Sequence, residues 1–71
     1  MEIVYLVMEE NIETSRVCGI YSSKTMAISR ASVLKKQNDG WNETYLIEQW
    51  VVGCSRRSAI YHCDGSLITD K

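Results

Sequence analysis

The sequence predicts an α+β domain, in which one helix packs on one face of an antiparallel sheet of 4–5 strands, in the order β-β-α-β-β-β. Three observations predict this fold. Residues 2–8 and 44–52 are rich in β-branched and aromatic side chains. Residues 15–21 lead directly into a serine-capped helical segment. Asp64-Gly65 separates two short β-prone runs, which is typical of a hairpin.

The first two strands are predicted to form a hairpin. Residues 2–8 are almost continuously apolar, a pattern that is typical of a central strand buried on both faces. Residues 9–14 are polar and predict a loop, and residues 15–21 predict the second, antiparallel strand.

A helix is predicted over residues 23–38. Ser22 or Ser23 can cap its first turn, because a serine hydroxyl accepts hydrogen bonds from the free backbone N–H groups at that end. Asn38-Asp39-Gly40 is expected to end it.

One face of the predicted helix is apolar and suited to a sheet. Ala27, Ala31 and Leu34 share this face, and the two alanines allow close packing. Met26 and Val33 are expected to widen the apolar arc on one flank and Ile28 on the other. The opposite crest is small and polar: Thr25, Ser29, Ser32 and Lys36.

The C-terminal part of the chain predicts the remaining strands. Residues 44–52 form the third strand, and residues 59–63 and 66–69 form a short hairpin. The turn at Asp64-Gly65 is expected to be type I′, with positive φ at both residues.

Size and composition limit the possible functions. The chain has 71 residues, enough for one domain with a thin core, and a net charge of −1. The apolar run at residues 3–8 is too short to cross a membrane and follows Glu2, unlike a signal peptide. The odd number of cysteines, 3, argues against a disulfide framework. We therefore expect a cytoplasmic protein without membrane association.

Catalytic and metal-binding patterns are weak in this sequence. Cys18, Cys54, His62 and Cys63 lack the C-x2-C spacing of zinc sites, and neighbours on a strand point to opposite faces. The single histidine has no positioned partner, and no glycine-rich phosphate loop is present. We therefore predict neither enzymatic activity nor a cofactor.

Charged side chains give the candidate binding residues. The helix carries basic residues on its flanks and crest, and two more follow the third strand: Lys24, Arg30, Lys35, Lys36, Arg56 and Arg57. These six could simply be solvated, or they could form an electropositive surface. Glu9, Glu10 and Glu13 are expected in one hairpin loop. That loop could be a soluble tip or an acidic contact for a basic partner.

Several segments together resemble a known group of proteins. The strand Val-Tyr-Leu-Val at residues 4–7 is followed by Gly-Ile-Tyr-Ser-Ser-Lys at 19–24, Ala27 and Tyr-Leu-Ile-Glu-Gln-Trp at 45–50. This pattern is similar to that of small bacteriophage and prophage proteins of unknown function, over about residues 3–52. In size and element order the chain also resembles compact phage anti-defence proteins, including certain anti-CRISPR inhibitors.

The resemblance implies a small non-enzymatic protein that binds a host protein, or a host protein–nucleic-acid complex, in the bacterial cytoplasm. Inhibition of a bacterial defence system is the expected consequence. The alternative is a nucleic-acid-binding accessory module that uses the basic helix with Arg56 and Arg57. Because no proline protects the sheet edges, we also expect a homodimer, formed through an edge strand or the helix crest.

Overall fold

Residues 2–11, 13–37 and 44–68 are described by the computed structural model. The elements in chain order are β1 (Ile3–Glu10), β2 (Ser15–Tyr21), α1 (Lys24–Gln37), β3 (Thr44–Val51) and β4 (Ala59–His62). The strands form one antiparallel sheet in the order β2-β1-β3-β4, and α1 packs on one face. The predicted α+β class is confirmed.

β1 is a central strand, as its apolar sequence predicts, and it pairs with β2 on one side and β3 on the other. It continues to Glu10, so the predicted loop over residues 9–14 was wrong at its start. Glu9 and Glu10 remain in the sheet because each pairs with a residue of both neighbouring strands. The turn begins at Asn11, whose side-chain oxygen accepts hydrogen bonds from the backbone N–H groups of Glu13 and Thr14.

Ser23 caps the helix. Its hydroxyl oxygen accepts a hydrogen bond from the Met26 N–H group at 3.4 Å, and its carbonyl accepts one from Ala27. The predicted helix end at residues 38–40 lies outside the described residues.

The core lies between α1 and the two central strands. Ala27 and Ala31 are fully buried against Val7 and Ile47, with Leu34 packed beside them, which confirms the predicted helix face. Alanine at both contact positions brings the helix backbone close to the sheet. The large side chains at the centre therefore come from the strands.

The two flanks of α1 differ. Ile28 packs on the core at the β4 flank, where a Cβ on Gly65 would lie 2.7 Å from the Ile28 Cδ1 atom. Met26 and Val33 lie on the other flank of the apolar arc and are 56% and 43% exposed. The sheet ends at β2 on their flank, which leaves a groove between the helix and Tyr21.

The C-terminal hairpin departs from the predicted turn. Gly65 has φ of 94°, but no described residue other than glycine has positive φ, so type I′ was wrong. The Gly65 N–H group donates to the His62 carbonyl, and the His62 N–H group donates to Ser66. This is a type I turn followed by a left-handed glycine. The glycine alone therefore supplies the left-handed conformation.

The expected fifth strand is a single bridge. Leu67 pairs with Tyr61, and the Ile68 N–H group donates to the Ile60 carbonyl, while Thr69 lies outside the described residues. Residues 66–68 nevertheless occupy the outer edge of β4.

Ala27→Glu is expected to unfold the protein, because its carboxylate would be forced against Val7 and Ile47 without a partner. The cost should be roughly 3–5 kcal/mol, comparable to the whole stability of so small a domain. Ser29→Glu, on the exposed crest of the same helix, should shift stability by less than about 0.5 kcal/mol. Thermal melts of the two variants measure the difference, and equal stability would contradict the helix orientation.

The C-terminal turn should weaken in acid. The backbone N–H and hydroxyl of Ser66 donate to the Asp64 carboxylate at 2.9 and 2.7 Å and lower the pKa of Asp64. A lowered folded-state pKa favours the ionised form, so this stabilisation is present above the ordinary aspartate pKa and is lost as pH falls through the lowered value. The Ser66 amide resonance should titrate accordingly. Asp64→Asn should remove that transition, and its persistence in the variant would contradict the assignment.

Candidate functional site

One face of the sheet has no layer packed on it from residues 2–11, 13–37 or 44–68. Side chains alternate between faces along a strand, and Val7 and Ile47 point toward α1. Leu6, Met8 and Leu46 therefore lie on the opposite face. We call this opposite face the open face.

The strand register defines four rows across the open face, and the fourth row is polar, with Ser15, Glu10 and Thr44. Val4 pairs with Trp50 in the first row. The second row contains Ile20, Leu6, Glu48 and Ile60. The third row contains Val17, Met8, Leu46 and His62. Most side chains of the first three rows are apolar, and the polar ones in these rows are Glu48 in the second row and His62 at the β4 edge.

No described helix or strand packs on the open face, because α1 packs on the other side. Leu6, Met8, Leu46 and Trp50 are only half-buried, by their neighbours within the sheet. The solvated face of an antiparallel sheet is usually polar, with apolar residues restricted to the covered face. A second apolar face is therefore unusual on so small a domain.

Glu48 is a buried charge within the open face. Only 8% exposed, its carboxylate accepts hydrogen bonds from Trp50 Nε1 at 3.0 Å and from Arg57 at 3.2 Å. Arg57 reaches it from the β3–β4 loop, which is held by a hydrogen bond from the Ser58 N–H group to Gln49. These contacts satisfy the carboxylate and fix the orientation of the indole ring.

Glu9 occupies the other face of the sheet, beneath the helix layer. It is 9% exposed and accepts hydrogen bonds from the Tyr45 hydroxyl at 2.8 Å and from Arg16 Nε at 2.6 Å. The hydrogen bond from Arg16 to Glu9 and the negative charge of Glu9 raise the pKa of Arg16. The prediction that Glu9 lies in an acidic loop was wrong, because it ties three strands together. Glu10 ends β1, and Glu13 is exposed in the loop.

The predicted basic residues lie on several different surfaces. Lys24 lies over the Tyr61 ring at 3.8 Å. Lys35 and Lys36 line a cleft of about 360 Å³ with Ser32, Cys63 and Asp64, whereas Arg30 lines the groove on the opposite flank of α1. Arg56 is exposed in the β3–β4 loop, beside Arg57. This distribution gives no support to one basic surface, and nucleic-acid binding stays a prediction.

The cysteines and histidine are separated. Cys18 and Cys63 pack against the core, and Cys54 is exposed in the β3–β4 loop. Within residues 2–11, 13–37 and 44–68, no group of three or more His, Cys, Asp or Glu side chains is placed to hold a metal ion. In the same part of the chain, no helix has the length and apolarity needed to cross a membrane.

No protein-family model matches the chain, and neither a curated protein nor a solved structure is similar to it. The fold and the candidate site together define a two-layer α+β domain with one mostly apolar sheet face that the described part of the chain leaves uncovered.

From the sequence, the charged residues are the leading candidates, and the sheet face bearing Trp50 is a second choice beside the helix crest, although the signal of the open face is present. Residues 2–8 were interpreted as buried on both faces, but only one helix was predicted to cover them. One helix covers one face of a sheet. The sequence therefore already contained an apolar face with no layer assigned to it.

Arg57→Ala should destabilise the protein by about 1 kcal/mol, because it removes a donor from the buried Glu48 carboxylate while the arginine itself is partly solvated. Arg56→Ala is the matched control, since Arg56 is the exposed neighbour, and should change stability by less than about 0.5 kcal/mol. Chemical denaturation measures both variants. Equal effects would show that the Glu48–Arg57 contact contributes nothing in solution.

Proposed function

We propose that this protein is a small non-enzymatic binding protein whose working surface is the open face. The observation that carries the proposal is an apolar sheet face, centred on Leu6, Met8 and Leu46, that no described element covers. Contiguous apolar surface of this kind on a small domain marks an interaction site.

The size of the open face suits a protein partner. Four strands at a spacing of about 4.8 Å, with central strands about 26 Å long, give a projected area of roughly 400–500 Å². This is in the range of large functional patches, and below the ~800 Å² that each partner contributes to a standard interface. A partner that also contacts the rim, where Arg57 and the β3–β4 loop lie, would reach that size.

The Trp50–Glu48–Arg57 cluster would give the interface its specificity. Tryptophan and arginine are the residue types that most often dominate binding energy at protein interfaces. Trp50 is held by Glu48, so little side-chain entropy would be lost when a partner covers it. The Arg57 side chain is 46% exposed and has further N–H donors, which suits an acceptor on the partner.

The resemblance to small phage and prophage proteins favours a protein of the bacterial host as the partner, in the host cytoplasm. Occupying a surface that a defence complex needs would inhibit that complex without any chemistry. In this proposal Glu10, Glu13 and Arg56 lie at the rim and steer association rather than supply most of the affinity.

Met8→Lys should abolish capture of a specific protein from bacterial lysate by the tagged chain, while circular dichroism and the thermal melt stay near those of the native chain. Met8 lies in the middle of the open face, and its face is uncovered, so a lysine there can reach water. An apolar fluorescent dye should also bind the native chain more strongly than the variant.

Leu67→Lys is the control, because Leu67 is 61% exposed and lies outside the open face. It should leave capture unchanged. Capture that survives Met8→Lys contradicts the proposal. Steeply salt-dependent retention on a DNA resin, lost when Lys35 and Lys36 are changed to Glu, would favour the nucleic-acid alternative.

A further inference from the structure

The two edges of the sheet are unequal. The outer edge of β4 is occupied by residues 66–68, whereas no described segment pairs with the outer edge of β2. An unpaired edge strand presents free backbone N–H and C=O groups that can pair with another strand. β2 contains neither lysine nor proline, two residue types that commonly block such pairing.

Exposed apolar side chains gather on both sides of the β2 edge. Ile20 and Val17, which are 63% and 48% exposed, lie on the open face of β2. Met26 and Val33 are exposed on the flank of α1 above this edge, beside a groove of about 330 Å³ that also contains Tyr21. A strand added to β2 would place alternate side chains against both groups.

A β-bulge gives β2 an unusual pattern of faces. Val7 pairs with Gly19 and Met8 pairs with Val17, so Cys18 is the extra residue, and it packs on the core side. Val17 and Ile20 therefore lie on the open face, whereas positions 16, 18, 19 and 21 lie on the helix side. This pattern reads the same in both directions about the Cys18–Gly19 peptide.

We propose that the β2 edge binds the β2 edge of a second copy of this chain, antiparallel, with the two-fold axis between Cys18 and Gly19. The axis pairs Val17 with Ile20 of the other copy on the open face, and Arg16 with Tyr21 of the other copy on the helix side. Each residue then lies opposite a residue whose side chain is on the same face of the sheet. A regular strand paired about such an axis would not allow this, because its neighbouring side chains lie on opposite faces. The bulge, which often discourages edge pairing, here makes the edge complementary to itself.

The charges of β2 also suit an identical strand. Arg16 is the only charged residue of β2, and it already forms an ion pair with Glu9 of its own chain. Two copies therefore meet without unpaired like charges across the axis. The resulting eight-stranded sheet leaves the open face of each copy free, so this dimer does not depend on the proposed function.

Ile20→Lys tests the dimer. Sedimentation over micromolar to millimolar concentrations should give twice the chain mass for the native protein and one chain mass for the variant. Leu67→Lys is the matched control, since Leu67 is 61% exposed and Ile20 is 63% exposed, and it should remain dimeric. Circular dichroism should show that both variants stay folded, because both side chains are already solvated.

Oxidation tests the register. In a chain with Cys54 and Cys63 changed to Ser, an added diamide oxidant should link Cys18 to Cys18 of the other copy. The expected Cα separation is about 6 Å, within the range that a disulfide spans. Each thiol gives up one proton and one electron to the oxidant. Cys18→Ser in the same background should give no linked dimer.

Three results would overturn this inference. A native chain that sediments as a monomer throughout removes the dimer, even if capture of a host protein persists. A dimer that Met8→Lys dissociates and Ile20→Lys does not places the contact on the open face. A dimer without the Cys18 link has a different register.

Discussion

The contact between two alanines of α1 and two large side chains of the sheet supports the rest of this structure. Ala27 and Ala31 bring the helix close to Val7 and Ile47, which are the only large side chains that are fully buried in the described residues. Such a core is thin, and a domain of this size has a margin of only a few kcal/mol. The single helix packs on one face of the sheet, so no described residues form a layer on the other face.

Two buried carboxylates stabilise the sheet in parallel ways on its two faces. Glu9, on the helix side, is held by Tyr45 and Arg16. Glu48, on the open face, is held by Trp50 and Arg57. Each carboxylate has one aromatic donor and one partly solvated arginine, so neither charge is buried without hydrogen bonds. With so few apolar contacts available, these polar clusters fix the positions of strands and of the β3–β4 loop.

Much of the fold could be predicted from the sequence because local signals were strong. Ser23 predicted the start of the helix, and the spacing of Ala27 and Ala31 predicted its buried face. Runs of β-branched residues predicted β1 and β3. The prediction that Glu9 lies in a loop was wrong because a charged side chain suggests exposure to solvent. Its partners are set by strand pairing, with Arg16 across the hairpin and with Tyr45, 36 residues away in sequence. The open face was not predicted as the leading site, since burial on both faces and exposure of one face produce the same apolar run.

The hairpin turn at Gly65 has a consequence for the stoichiometry of any assembly. By returning the chain along the outer edge of β4, it leaves the described sheet with one edge that can accept a strand. A chain with one such edge can pair with only one other strand. Pairing there closes as soon as it forms, whereas two free edges would allow ribbons to grow without limit. Strand pairing alone would therefore join two chains and go no further.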